Sequence, residues 1–129
     1  MIMIADEWSG IRCQESTMND PAWSDVARLI KRLDAKKRTM IILKRDEDNS
    51  LTIGGGCGQY VLCANVGENR FFNLVRPVTV GAPDVVLNIG GQESEYSAQE
   101  IVDEITAIAC ATEYLKSGNM NSTFEWREQ

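Results

Sequence analysis

Leu51-Thr52-Ile53-Gly54-Gly55-Gly56 and Val85-Val86-Leu87-Asn88-Ile89-Gly90-Gly91-Gln92 are two β-rich runs that each open into consecutive glycines. Glycine weakens a strand and is used where the chain takes positive φ or where another group must approach closely. These clusters therefore mark strand ends of special geometry, and the rest of the chain is read outward from them.

The spacing around them predicts an α+β domain. An opening strand runs from about Met1 to Glu7, and a loop leads on to Asn19-Asp20-Pro21. Asp20 there reads as a helix cap with Pro21 at the first helical position. Ala22, Val26, Leu29, Ile30 and Leu33 follow at helical spacing and give the first helix one apolar stripe. Thr39 to Lys44 and Leu51 to Ile53 pair across the polar turn Asp46-Glu47-Asp48-Asn49-Ser50. Gln59 to Val66 and Arg70 to Val75 pair across Gly67-Glu68-Asn69. With Val85 to Ile89 and a short strand around Thr123 to Trp126, this makes an antiparallel sheet of about five to six strands packed by two amphipathic helices. For the second helix, Ser97-Ala98-Gln99-Glu100 has the form of a capping box and Gly118 is the stop. Ile101, Ile105, Ile108 and Leu115 would trace its buried face, flanked by Val102 and Ala109.

The 129 residues suit a single domain spanning residues 1–129, with 43% hydrophobic residues to fill one core. The apolar start Met1 to Ala5 meets Asp6 and Glu7 at once, and no run of residues is long enough to span a bilayer. A cytoplasmic location is expected. Cys13, Cys57, Cys63 and Cys110 contain no C-x-x-C pair and are expected as reduced thiols, mostly buried.

Composition excludes much chemistry. The chain has no histidine, which removes Ser-His-Asp and Cys-His catalysis, histidine-bound zinc and the commonest general base near neutral pH. Gly54-Gly55-Gly56-Cys57-Gly58 lacks the Gly-Lys-Ser/Thr ending of a phosphate loop and runs into the strand-like Tyr60-Val61-Leu62. No nucleotide, other cofactor or metal is expected, and no catalysis. Gly90-Gly91-Gln92 matches the tripeptide of peptide-release factors, but a net charge of -6 opposes an RNA pocket, so a strand-to-loop turn is the reading. Most of the basic group Lys31, Arg32, Lys36, Lys37 and Arg38 falls at the carboxyl end of the first helix, where cations complement the helix dipole, and it reads as a solvated helix end and not as a nucleic-acid patch.

Charge is unevenly spread along the chain. Residues 1 to 45 hold nine basic and six acidic side chains, a net of +3; residues 46 to 129 hold four basic and thirteen acidic, a net of -9. An acidic surface on the second part would steer a basic protein partner. The candidates for contact are acidic residues at turns and element ends: Asp46, Glu47, Asp48, Glu68, Glu93 and Glu95, together with Trp126 near the end of the chain. If charge plays no part, Trp8, Tyr60, Phe71 and Trp126 are the alternative contact set.

The ordered series Leu51-Thr52-Ile53-Gly54-Gly55-Gly56, Tyr60-Val61, Ile89-Gly90-Gly91-Gln92, Tyr114-Leu115-Lys116-Ser117-Gly118 and Trp126 resembles the first immunity protein family of bacterial polymorphic toxin systems. The resemblance covers roughly residues 25 to 128 and rests on the order and spacing of short motifs. It implies a small α+β inhibitor without enzymatic activity, which protects the producing cell from a secreted toxin domain. Many toxins met by this family are nucleic-acid deaminases or nucleases. An acidic domain of this size also resembles secretion chaperones that hold an effector's unfolded segment. The glycine series, which a chaperone groove does not need, separates the two.

Overall fold

A computed structural model describes all residues from Met1 to Gln129. Seven strands form one antiparallel sheet in the order β2-β1-β3-β4-β5-β6-β9. They are β1 (Ile2–Ser9), β2 (Arg12–Asn19), β3 (Met40–Lys44), β4 (Asn49–Gly56), β5 (Gln59–Val66), β6 (Phe71–Val75) and β9 (Glu125–Glu128). A second, two-stranded sheet pairs β7 (Val85–Ile89) with β8 (Gln92–Tyr96). The helices are α1 (Trp23–Arg32) and α2 (Glu104–Ser117), with a 3-10 turn at Ala98–Glu100 before α2. The expected α+β architecture is therefore present, with nine strands in two sheets.

Pleating divides the main sheet into two faces. Met3, Ile41, Leu43, Leu51, Ile53, Leu62, Ala64 and Leu74 point to one side and pack with Val26, Ile30 and Leu33 of the α1 region and Ala107, Cys110, Ala111 and Tyr114 of α2. Both helices lie on this face. Each large aliphatic chain buried there contributes about 1.5–3 kcal/mol. The expected α1 stripe holds for Val26, Leu29, Ile30 and Leu33, while Ala22 is exposed.

The other face is covered at one end only. Ile89 of β7 packs on Gly54, and Leu87 joins Val61 and Ile101 in a small second cluster. Beyond the hairpin, cross-strand pairing sets Thr17, Ile4, Ile42, Thr52, Cys63, Asn73 and Arg127 in one row. A second row runs from Ile2 through Lys44, Ser50 and Asn65 to Phe71. No helix covers either row.

Several sequence expectations are corrected. The segment after β1 is not a loop: Gly10, at φ +63, turns the chain back into β2. Asp20 does not cap α1. It lies at φ +47 with its carboxylate 3.0 Å from the Met1 ammonium, and Asp25 closes the helix start by accepting from Ala22 N at 3.0 Å. The capping-box segment forms the 3-10 turn, and Val102 then bridges Tyr60 in both directions, N–H to O at 2.9 and 3.0 Å. Helix α2 starts later, where the Asp103 carboxylate accepts from Thr106 N at 2.8 Å, and ends as expected at Gly118 with φ +74.

The stripe of α2 is also different. Ile108 and Leu115 pack on the core as expected, but Ile105 is 79% exposed, and the fully buried positions are the small residues Ala107, Cys110 and Ala111 with Tyr114, which lets α2 lie close to α1 and the sheet. The glycines of β4 do not end a strand. They continue it to Gly56, and the tight turn falls at Cys57 (φ +55) and Gly58 (φ +86). Gly55, at φ +111, has no room for a side chain, because an added Cβ would meet the Gln59 carbonyl oxygen.

All four cysteines are free, but Cys13 and Cys57 are exposed and only Cys110 is fully buried. Burial pushes the Cys110 thiol up to about 12, so it serves as a small apolar side chain. Of the basic group, only Lys31 and Arg32 lie in the last turn of α1. Arg38, in the loop beyond, pairs with Glu7 at 2.9 Å.

Candidate partner-binding surface

The acidic residues singled out in the sequence fall into two groups at opposite ends of β3. Lys44 pairs with Ser50 at one end, and Met40 with Gly54 at the other.

The first end is made by two adjoining turns. Between β3 and β4, Arg45 N donates to Asn49 O at 2.9 Å, while the Asp46 carboxylate accepts from Asp48 N (2.9 Å) and Asn49 Nδ2 (2.9 and 3.2 Å). Asn49's side-chain donation, followed by the Asp48 backbone N–H, holds the Asp46 carboxyl below the usual carboxylate range. Asp46 is thus committed to building the turn. Glu47 reaches back to Lys44 at 3.5 Å but is otherwise in solvent, as is Asp48. Asn49 Oδ1 accepts from Gly67 N at 3.1 Å, which ties this turn to the β5–β6 turn and brings the exposed Glu68 to the same end. Arg45 Nη1 donates to Gly118 O at 3.2 Å, joining the end of α2 to the group.

The second end is the β7–β8 hairpin, which carries Glu93 opposite Asn88 and Glu95 opposite Val86. Leu87 and Ile89 face inward, and Val86, Glu93 and Glu95 lie exposed on the other side of the hairpin, where Asn88 is half-buried with its Oδ1 enclosed. A buried carboxylate fixes the hairpin in place. Asp6 is 4% exposed and accepts from Thr39 N (2.8 Å), Met40 N (3.0 Å), Trp8 Nε1 (2.7 Å) and the Thr39 hydroxyl. The same Thr39 oxygen accepts from Gly90 N at 2.9 Å. At the tip, Gly90 and Gly91 stand at φ +67 and +83, the positive-φ pair of a type I′ hairpin turn, and Gly91 lies against the Trp8 indole. The loop that leads to Thr39 is closed on Asp34, whose Oδ1 accepts from Lys36, Lys37 and Arg38 N. Burial pushes the Asp34 carboxyl up, but the N–H groups of Arg38, Lys36 and Lys37 outweigh this and hold it below its ordinary value.

Trp126 is elsewhere. It lies on edge strand β9 opposite Leu74, half-buried against the core, with Nε1 donating to Asn121 O at 3.0 Å. Of the alternative contact set, Tyr60 is in the core and Trp8 is taken up by Gly91 and Asp6; Phe71 is exposed beside the uncovered sheet face. That face was not singled out in the sequence. Met40-Ile41-Ile42-Leu43 is apolar at every position, so alternation could not tell its covered side from its open side.

The two acidic ends thus flank an uncovered band of Ile4, Ile42, Thr52 and Cys63. No three His, Cys, Asp or Glu side chains are grouped to hold a metal ion, and no helix is long and apolar enough to cross a membrane. Compared with protein-family models, residues 15–128 match the one described as Immunity protein Imm1. No curated protein matches the chain.

Proposed function

The chain belongs to the Imm1 immunity protein family, and from that premise we propose that it neutralises one cognate toxin domain by direct binding, with no turnover of its own. The toxin in this reading is a deaminase or nuclease acting on nucleic acid. Such a domain presents a basic cleft to its substrate, and exposed carboxylates on the immunity protein would take the place of phosphates. The observation that carries the reading is the pairing of the family match with two exposed acidic ends around a sheet face that no helix covers. Asp48, Glu47 and Glu68 at one end, and Glu93 and Glu95 at the other, are the proposed contacts. Asp46 shapes its turn, and Trp126 supports edge strand β9. The complex would form in the cytoplasm, where the toxin's substrate lies.

The test has two parts. Co-expression with the toxin encoded beside it should restore growth, and failure to do so with both proteins soluble would refute neutralisation. For the surface, Glu47→Lys with Asp48→Lys and Glu68→Lys, and separately Glu93→Lys with Glu95→Lys, should be compared in stopped-flow association. Steering predicts a loss of about tenfold or more in association rate at low salt, and a flatter salt dependence, at the end that makes contact. Glu104→Lys and Glu113→Lys on α2 should change little. Unaltered rates and salt slopes in both loop sets would remove the acidic ends from the interface.

A further inference from the structure

Strand β2 is an unusual edge. Seven of its eight residues, all but Met18, are exposed, so neither face of the strand is covered. Ordering backbone costs about 1–2 kcal/mol per residue, and β2 offsets little of that by burial. Its edge protection is thin: there is no proline, lysine or bulge along eight regularly paired residues, and Arg12 and Glu15 are its only charges. The opposite edge differs: β9 has four residues, with Glu128 held by Arg70 at 3.0 and 3.1 Å.

The hydrogen-bond parity of β2 is fixed by its neighbours. Asp20 N donates to Met1 O at 2.8 Å, while Trp8 N turns away from β2 to Lys37 O at 2.7 Å. Alternation along an antiparallel ladder then aims the N–H and C=O groups of Arg12, Gln14, Ser16 and Met18 at β1. Those of Cys13, Glu15, Thr17 and Asn19 point outward with no strand beside them.

We infer that this edge is a self-pairing surface: two copies of the chain join β2 to β2 antiparallel about a two-fold axis at Ser16, making one continuous sheet. The sequence of the strand is self-complementary in that register. Ser16 meets Ser16, Glu15 meets Thr17, Cys13 meets Asn19 and Arg12 meets Asp20, so all four outward residues of each copy find a hydrogen-bonding position. No like charges stand directly opposite, and the Arg12–Asp20 pair forms twice, once on each side of the axis. The register also carries the turn residue Ile11, 97% exposed, toward the Pro21-Ala22-Trp23 corner of the second copy, where Trp23 is 64% exposed. Two exposed apolar side chains at opposite ends of one strand are thereby brought to the same place.

The test reads mass and cross-linking on the full chain. Sedimentation at about 100 μM should give twice the single-chain mass. Added salt should tighten the dimer, because each copy carries a net charge of -6 and screening weakens their repulsion. Ser16→Lys, which sets two lysines face to face at an exposed position, should return the single-chain mass with unchanged circular dichroism and a melting temperature that no longer depends on concentration. With Cys13 and Cys57 replaced by serine, Ser16→Cys should oxidise to a disulfide-linked dimer, whereas Gln14→Cys, which faces Met18, should not. A single-chain mass at that concentration, or equal cross-linking of the two variants, overturns the inference. So does a monomeric wild type whose toxin binding is weakened by Ser16→Lys, which would assign the edge to the toxin.

Discussion

Replacing Gly91 by alanine tests how the β7–β8 hairpin is held, and Gly10→Ala supplies its control. Both glycines are in the left-handed region, at φ +83 and +63, and both lie in two-residue hairpin turns. A side chain in that region costs about 1–2 kcal/mol, so the two variants share this strain. They differ in surroundings. An added Cβ at Gly10 meets nothing within 4 Å, whereas at Gly91 it would fall on Cη2 and Cζ2 of Trp8. Trp8 cannot swing aside freely, because its Nε1 is one of the donors that satisfy the buried Asp6 carboxylate. Overpacking of this kind costs about 1–3 kcal/mol. Gly91→Ala should therefore lose about 2–5 kcal/mol against about 1–2 for Gly10→Ala. With a urea slope of about 2 kcal/mol per molar, the midpoints should fall by about 1–2.5 M and about 0.5–1 M respectively. Equilibrium unfolding followed by circular dichroism measures both. Equal losses in the two variants would refute the packing of the hairpin tip on Trp8.

Other expectations follow from single contacts. Asp6→Ala leaves the N–H groups of Thr39, Met40 and Trp8 without their acceptor and should cost about 3 kcal/mol or more in urea unfolding, with Asp6→Asn losing less. The Thr106 N–H holds the Asp103 carboxyl below its ordinary value, so its contribution is present above about pH 4 and is lost as pH falls through the lowered folded value. Asp103→Ala should accordingly cost about 1 kcal/mol at pH 7, with a deficit against wild type that shrinks below about pH 4; a constant deficit down to pH 2 would count against the cap. Cys57 sits at φ +55 in the β4–β5 turn, so Cys57→Asn should raise stability by about 0.3–1 kcal/mol, read as a higher melting temperature.

The sequence was most readable where hydrophobic pattern and turn chemistry agreed. The β5–β6 hairpin around Gly67-Glu68-Asn69, the β3–β4 hairpin and the α1 stripe all fall where spacing places them. It was least readable in strands that bury little. Arg12–Asn19 half-buries only Met18 and Gln92–Tyr96 only Ser94 and Tyr96, so both are polar along most of their length and show no apolar alternation to recognise. The start of α2 departs from the sequence pattern for another reason. Ser97 and Glu100 have the right types for a capping box, but the ladder between Val102 and Tyr60 claims the next backbone groups and delays the helix to Asp103. At the candidate surface, the acidic residues were visible as turn residues. Their division between two ends, and the open band between them, depend on strand order, which local pattern does not encode.

The separation of β7 and β8 from the main sheet gives the molecule two parts of unequal rigidity. A lone two-stranded ribbon is marginal in water, so this hairpin keeps its shape only while its tip is latched to Thr39 and Trp8 and its inner side rests on Gly54 and Val61. Release of that latch exposes little of the core beneath α1 and α2, and the hairpin can open as a local unit well below the free energy of global unfolding. Its amides should exchange with solvent before those of β3, β4 and β5. In the proposed complex, Asp48 and Glu68 would form a fixed jaw and Glu93 and Glu95 a sprung one, one holding position while the other adjusts its grip.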